Sequence, residues 1–204
     1  MDLDAAGLKK LLAASAPLPS VYGDDGAGRD TATLIPAAVL VPVIDRPGGL
    51  TVLFTQRTVQ LKSHSGQVSF PGGRSEPGDA SAEFTALREA HEEIGLQHER
   101  VEVLARLADY LVRTGFRVTP VVGLVTPPFD LVPDAREVAE VFEVPLAFLL
   151  DPRNHRRETR ELGGRTVGFY VMTYTTNEVS RTIWGATAGM LINLYRQLAA
   201  APRE

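Results

Sequence analysis

Cysteine is absent from the 204 residues. That excludes a disulfide framework and a thiolate site, whether nucleophile or metal ligand, and makes an intracellular compartment the simplest setting. No stretch approaches the roughly 18 apolar residues that a membrane-spanning helix needs. Met1 to Leu12 mixes Asp2, Asp4, Lys9 and Lys10 with Leu3, Leu8, Leu11 and Leu12 at helical spacing, which is an amphipathic helix and not a signal peptide. The chain ends Pro202-Arg203-Glu204, without a peroxisomal Ser-Lys-Leu type of address, so the expected location is the cytoplasm. An excess of basic residues is missing too: 21 Lys and Arg against 25 Asp and Glu give a net charge of −4. This argues against a nucleic-acid partner, but not against an anionic small molecule, because local cations set the field at a cleft. Repeats, low-complexity tracts and linkers are also lacking, so the expectation is one domain over residues 1–204, opening with a helix and a loop (1–33).

What is present is a mixed pattern, 44% hydrophobic and 23% charged. Residues 15–33 are rich in Pro, Gly, Ser and Asp and read as loop. Strands are expected at Ala37–Ile44, Leu50–Gln56, Val68–Phe70, Val101–Tyr110, Val118–Leu124 and Thr166–Tyr174, where β-branched and aliphatic residues collect. Arg46-Pro47-Gly48-Gly49 reads as a hairpin turn. Helices are expected at Ala82–Ile94, Leu146–Leu150 and Thr182–Ala200. The pattern by itself gives α/β or α+β.

The chemistry concentrates between Gln60 and Glu93. Phe70-Pro71-Gly72-Gly73 predicts a sharp turn, since paired glycines permit positive φ or close approach of backbone to a ligand. Pro77-Gly78-Asp79 makes a second turn, Asp79 or Ser81 caps the following helix, and Gly95 closes it. At about 100° per residue, Glu89, Glu92 and Glu93 share one face, with Phe84, Leu87 and Ile94 opposite. Crowded carboxylates repel by about 0.2–0.5 kcal/mol per i,i+4 pair, which calls for a cation. A hard divalent ion takes such oxygen ligands together with substrate phosphates, although a solvated acidic face is the ordinary alternative. Arg88 lies four residues from Glu92 and can orient it. His91 projects toward Phe84 and Leu87 and is expected to pack rather than to catalyse. His98 and His155 show no partner pattern, and His64 in its loop is expected to be exposed.

The run from Gly73 through Asp79 to Arg88-Glu89-Ala90-His91-Glu92-Glu93-Ile94-Gly95-Leu96 resembles the box of the Nudix hydrolases, with Asp79 in place of a Glu and a loop one residue longer. Upstream, Leu53-Phe54-Thr55-Gln56-Arg57-Thr58, Lys62, Gly66-Gln67 and Phe70-Pro71-Gly72-Gly73 are similar to the signature of the coenzyme A pyrophosphatase branch. Thr114-Gly115-Phe116, Glu140-Val141-Phe142-Glu143-Val144-Pro145-Leu146 and Ile183-Trp184-Gly185-Ala186-Thr187-Ala188 extend the likeness over about residues 35–195.

The resemblance implies a Nudix-type α/β/α sandwich with a mixed β-sheet, and metal-dependent hydrolysis of the diphosphate of coenzyme A or its derivatives to 3′,5′-ADP and 4′-phosphopantetheine. Glu89, Glu92 and Glu93 would hold Mg²⁺ or Mn²⁺, helped by Arg88. A further loop carboxylate is expected at Glu140, with Glu137 second, though Glu140 also reads as a surface residue ahead of a buried strand. Arg57, Lys62 and Gln67, with Gly72 and Gly73, would bind the anionic substrate. Trp184 reads either as core packing or as a wall for an adenine or pantetheine group. Alternatives stay open: ADP-ribose or another nucleoside diphosphate derivative as substrate, or a non-catalytic nucleotide-binding module. Monomer and homodimer are equally open.

Overall fold

The computed structural model describes residues 3–16, 18, 33–59 and 66–202. Its strands, in chain order, are β1 (Ile35–Arg46), β2 (Gly49–Arg57), β3 (Val68–Ser69), β4 (Gly72–Arg74), β5 (Val101–Arg106), β6 (Tyr110–Val112), β7 (Phe116–Val125), β8 (Val138–Pro145), β9 (Arg156–Leu162), β10 (Arg165–Thr176) and β11 (Val179–Trp184). The helices are α1 (Ala5–Ala14), α2 (Ala82–Ile94), α3 (Leu146–Leu149) and α4 (Gly185–Ala200). Lys62 and His64 lie outside the described residues.

β1 organises the main sheet. It pairs antiparallel with β2 through the turn at Pro47-Gly48 and parallel with β7, from Ile35 opposite Phe116 to Ile44 opposite Val125. β3 and β8 add to β2, β4 to β1, and β5 and β6 to β7, giving a mixed sheet. Its middle is apolar on both sides, with Leu40, Val41, Val43 and Ile44 all buried, as a sheet covered on both faces requires. On one face Ala86, Ala90 and Ile94 of α2 pack over Ala38, Leu40, Leu53 and Val121. On the other, α1, α4 and the separate sheet β11-β10-β9 cover Val41, Val52, Phe54 and Val122. The fold class is therefore α/β with a mixed sheet and helices on both faces. No helix among the described residues is long and apolar enough to cross a membrane.

Four local expectations are corrected. The Gly72-Gly73 segment is a short strand on β1 rather than a free turn. Only glycine fits at position 72: with φ +156°, a Cβ there would stand 2.5 Å from the Ala38 carbonyl oxygen. The segment Val101–Tyr110 divides into β5 and β6, and residues 179–184 form β11 before α4 begins, whereas one helix is expected from Thr182. On α2 the buried side is Thr85, Ala86, Ala90, Glu93 and Ile94. Phe84 is 44% exposed and His91 is exposed, stacked edge-on with His98. The helix is rotated from the expected face because side-chain-free Gly72-Gly73 lets its carboxylate side approach the sheet.

Candidate active site

α2 starts at the Ser81 hydroxyl, which accepts from the Phe84 N–H, and ends at Gly95 in the left-handed region. Of the two expected caps, Ser81 does the capping. Asp79 instead binds the Arg88 guanidinium through both oxygens, at 3.1 and 3.0 Å, and accepts from the Thr85 hydroxyl at 2.8 Å. The Arg88 hydrogen bonds hold Asp79 well below the usual carboxylate range. Arg88 also donates to Glu89 at 3.1 Å, to Glu92 at 3.0 Å and to the Arg74 carbonyl at 3.0 Å. One planar fork thus fixes two of the three helix carboxylates, which a lysine could not do.

Glu93 is different. It is 6% exposed, accepts a long 3.4 Å bond from the Gly72 N–H, and faces the Arg57 guanidinium at 3.7 Å. Burial pushes its pKa up to about 8 against the opposing pull of Arg57 and the Gly72 N–H, with Glu89 and Glu137 adding repulsion. Glu89 is raised for the same first reason, burial, and opposed by Arg88. It lies so close to Gly73 that a Cβ there would sit 2.5 Å from its carboxylate. Gly73 therefore serves the site by leaving room for Glu89.

Glu89, Glu92 and Glu93 open with Asp134, Arg136 and Glu137 onto a cleft of about 340 Å³. The 134–137 segment is pinned from both sides: the Asp134 N–H donates to the Glu93 carbonyl at 2.9 Å, and Thr58 donates its N–H to the Glu137 carbonyl at 2.9 Å and its hydroxyl to the Arg136 carbonyl at 3.1 Å. Glu137 consequently stands 3.9 Å from Arg57. Glu140 does not enter this cleft. It is paired with Arg181, whose guanidinium lies over the Phe142 ring at 4.6 Å. The alternation of β8 turns Glu140 away, a feature that sequence position alone could not distinguish from Glu137.

Arg57 and Gly72 also line a second cavity of about 320 Å³ with Gln67, Tyr110, Trp184 and Met190. The structure thus brings together Arg57, Gln67, Gly72, Gly73, Arg88, Glu89, Glu92 and Glu93. The His155 Nε2 donates to the Leu149 carbonyl at 2.7 Å, and this residue lines neither cavity.

Among the described residues no three carboxylates converge as a ready chelate. Arg88 draws Glu89 and Glu92 to itself while Glu93 turns to Arg57 and Gly72. The donor chemistry nonetheless suits a hard divalent cation: several carboxylate oxygens in one cleft, one of them buried and only weakly compensated.

Comparison with known proteins agrees with this geometry. Residues 34–162 match the NUDIX domain family. A Photorhabdus laumondii protein named uncharacterized Nudix hydrolase NudL is 41% identical over 162 residues, 79% of this chain and 84% of that protein. The mouse peroxisomal coenzyme A diphosphatase NUDT7 is 40% identical over 157 residues, covering 76% of this chain and 66% of the mouse protein. Among solved structures, a MutT/nudix family protein from Enterococcus faecalis superposes with a TM-score of 0.51 at 15% identity, over 98% of this chain and 76% of that one, a likeness of fold. The chain belongs to the Nudix family and is a pyrophosphohydrolase of that family.

Proposed function

We propose that the chain cleaves the diphosphate of coenzyme A or its derivatives into 3′,5′-ADP and 4′-phosphopantetheine, with Mg²⁺ or Mn²⁺ held by Glu89, Glu92 and Glu93. The observation that carries this reading is that Arg57 and Gly72 stand between an acidic cleft and a largely apolar cavity. A diphosphate bound at Arg57 lies against the carboxylates while one organic arm leaves water. The name of the mouse relative, a coenzyme A diphosphatase, supports the same substrate.

A divalent ion, when bound, neutralises charge on the phosphoryl oxygens and acidifies water. The protein's own groups do the rest. Arg57 offers a guanidinium to the diphosphate and offsets Glu93 and Glu137. Arg88 holds Glu89 and Glu92 in place. Glu137, a half-exposed carboxylate of the cleft, is assigned to accept the proton of the attacking water, a role not given to Glu140, which is committed to Arg181. Lys62 and Gln67 are assigned to substrate anions, Lys62 from sequence only.

Hydrolysis measured with Mg²⁺ on a panel of coenzyme A, acyl esters, ADP-ribose and nucleoside triphosphates tests the reading. Release of 3′,5′-ADP and 4′-phosphopantetheine is expected from coenzyme A. Turnover of ADP-ribose alone would reject the substrate, and turnover of nothing on the panel would favour a binding module.

A further inference from the structure

The second cavity is small for a whole ligand, since binding pockets run from about 300 to 1,000 Å³, and so takes one part of a substrate. Its walls are mainly apolar: Val39, Val68, Tyr110, Leu111, Trp184 and Met190 contribute. Trp184 is braced edge-on by Phe169, with ring centroids 5.8 Å apart. Of the polar side chains near these walls, two hydroxyls are already engaged, while the buried Arg57 Nε has no partner among the described residues and is left to the diphosphate. The Thr187 hydroxyl donates to the Val68 carbonyl at 3.1 Å, and the Ser69 hydroxyl shares a 3.1 Å bond with Thr55. An adenine placed here would bury ring nitrogens and an amino group with few partners, at the desolvation penalty of unsatisfied polar groups.

Coenzyme A offers a better fit on its other side. One methylene beyond the diphosphate, its pantetheine arm carries a carbon bearing two methyl groups, an apolar knob that needs no hydrogen bond. Arg57 fixes where the diphosphate lies, and the cavity begins at Arg57. The hydroxyl and amide carbonyls that follow along the arm accept from exposed Arg113, which also lines it.

Resting on the coenzyme A reading, we propose that this cavity takes the pantetheine arm, its dimethyl group against Trp184 and Met190, and that the nucleotide lies outside it. The cavity then sets specificity by what is attached to the second phosphate. Burying two methyl groups corresponds to about fifteenfold in kcat/KM, which separates dephospho-coenzyme A from ADP-ribose although both carry the same ADP.

The chain has a single tryptophan, so intrinsic emission reports on this cavity without turnover. Titration of the full chain with 4′-phosphopantetheine should shift Trp184 emission, and 3′,5′-ADP at equal concentration should not. In parallel, Ala186→Leu adds bulk to the cavity wall at a half-buried helix position where leucine is well tolerated. It should lower kcat/KM for dephospho-coenzyme A about tenfold more than for ADP-ribose. A shift caused by 3′,5′-ADP, no shift with either compound, or equal loss on both substrates would each overturn the assignment. Failure of the wild type to hydrolyse coenzyme A, with the phosphopantetheine shift intact, would reject the enzymatic reading and leave the cavity assignment standing.

Discussion

Glu93→Gln is the sharpest perturbation available, because it separates what Glu93 does for function from what it does to stability. The unfolded chain releases the Glu93 proton near 4.5, whereas the folded protein retains it to about 8. A carboxyl whose pKa is raised on folding contributes stability that is present in full below 4.5 and is lost as pH rises through 8. At pH 7 the loss spans about 2.5 pH units at ~1.4 kcal/mol each, so ionisation in the unfolded chain costs the folded state up to about 4 kcal/mol. Glutamine has nearly the shape of the protonated acid and titrates nowhere. The metal-free variant should therefore exceed wild type by up to about 4 kcal/mol at pH 7, which for a chain of this size is roughly 8–16 °C in Tm. The gap should close toward pH 4.5. Added Mg²⁺ should narrow or invert it, because an ion at a hundredfold excess over its Kd stabilises the wild type by about 2.7 kcal/mol. The assay is thermal unfolding of both proteins in EDTA and in Mg²⁺ from pH 4.5 to 9, with turnover measured alongside. Coincident melting curves across that range in EDTA would refute the burial argument, and full turnover by the variant would refute the ligand assignment.

Three further outcomes follow from the same geometry. Glu137→Gln should lower kcat by about 100-fold or more, in the range typical of general-base loss, while Glu140→Gln changes kcat by less than about threefold and instead lowers Tm by leaving Arg181 without its partner; the reverse ranking in steady-state kinetics would return the base to Glu140. Gly73→Ala should preserve the circular dichroism spectrum yet weaken Mg²⁺ binding by about tenfold or more, since the new methyl group displaces the Glu89 carboxylate, and unchanged isothermal titration would show that Glu89 is not a ligand. Arg88→Lys should fail to restore the activity lost in Arg88→Ala, because a single ammonium cannot bridge Asp79, Glu89 and Glu92 together; recovery above half of wild-type kcat would contradict the bridging role.

Local chemistry made much of this protein legible in its sequence. The bounds of α2 follow from Ser81 and Gly95, the β1–β2 hairpin from Pro47-Gly48, and the clustering of Glu89, Glu92 and Glu93 from helical periodicity, all interactions between residues near in the chain. Strand β4 was hidden because a Gly-Gly pair has no strand propensity and is held only by pairing with β1. The rotation of α2 was hidden because it depends on what lies beneath the helix. That Glu137 lines the cleft and Glu140 does not depends on Thr58 and the Glu93 carbonyl pinning one side of the loop while Arg181, some forty residues on, claims the other. Sequence spacing thus determined which groups the protein possesses and which of them share a helix. Only the tertiary structure decided which carboxylate is buried, which arginine each one meets and where an apolar cavity opens beside them, because burial and charge pairing arise between segments that the sheet brings together from distant parts of the chain.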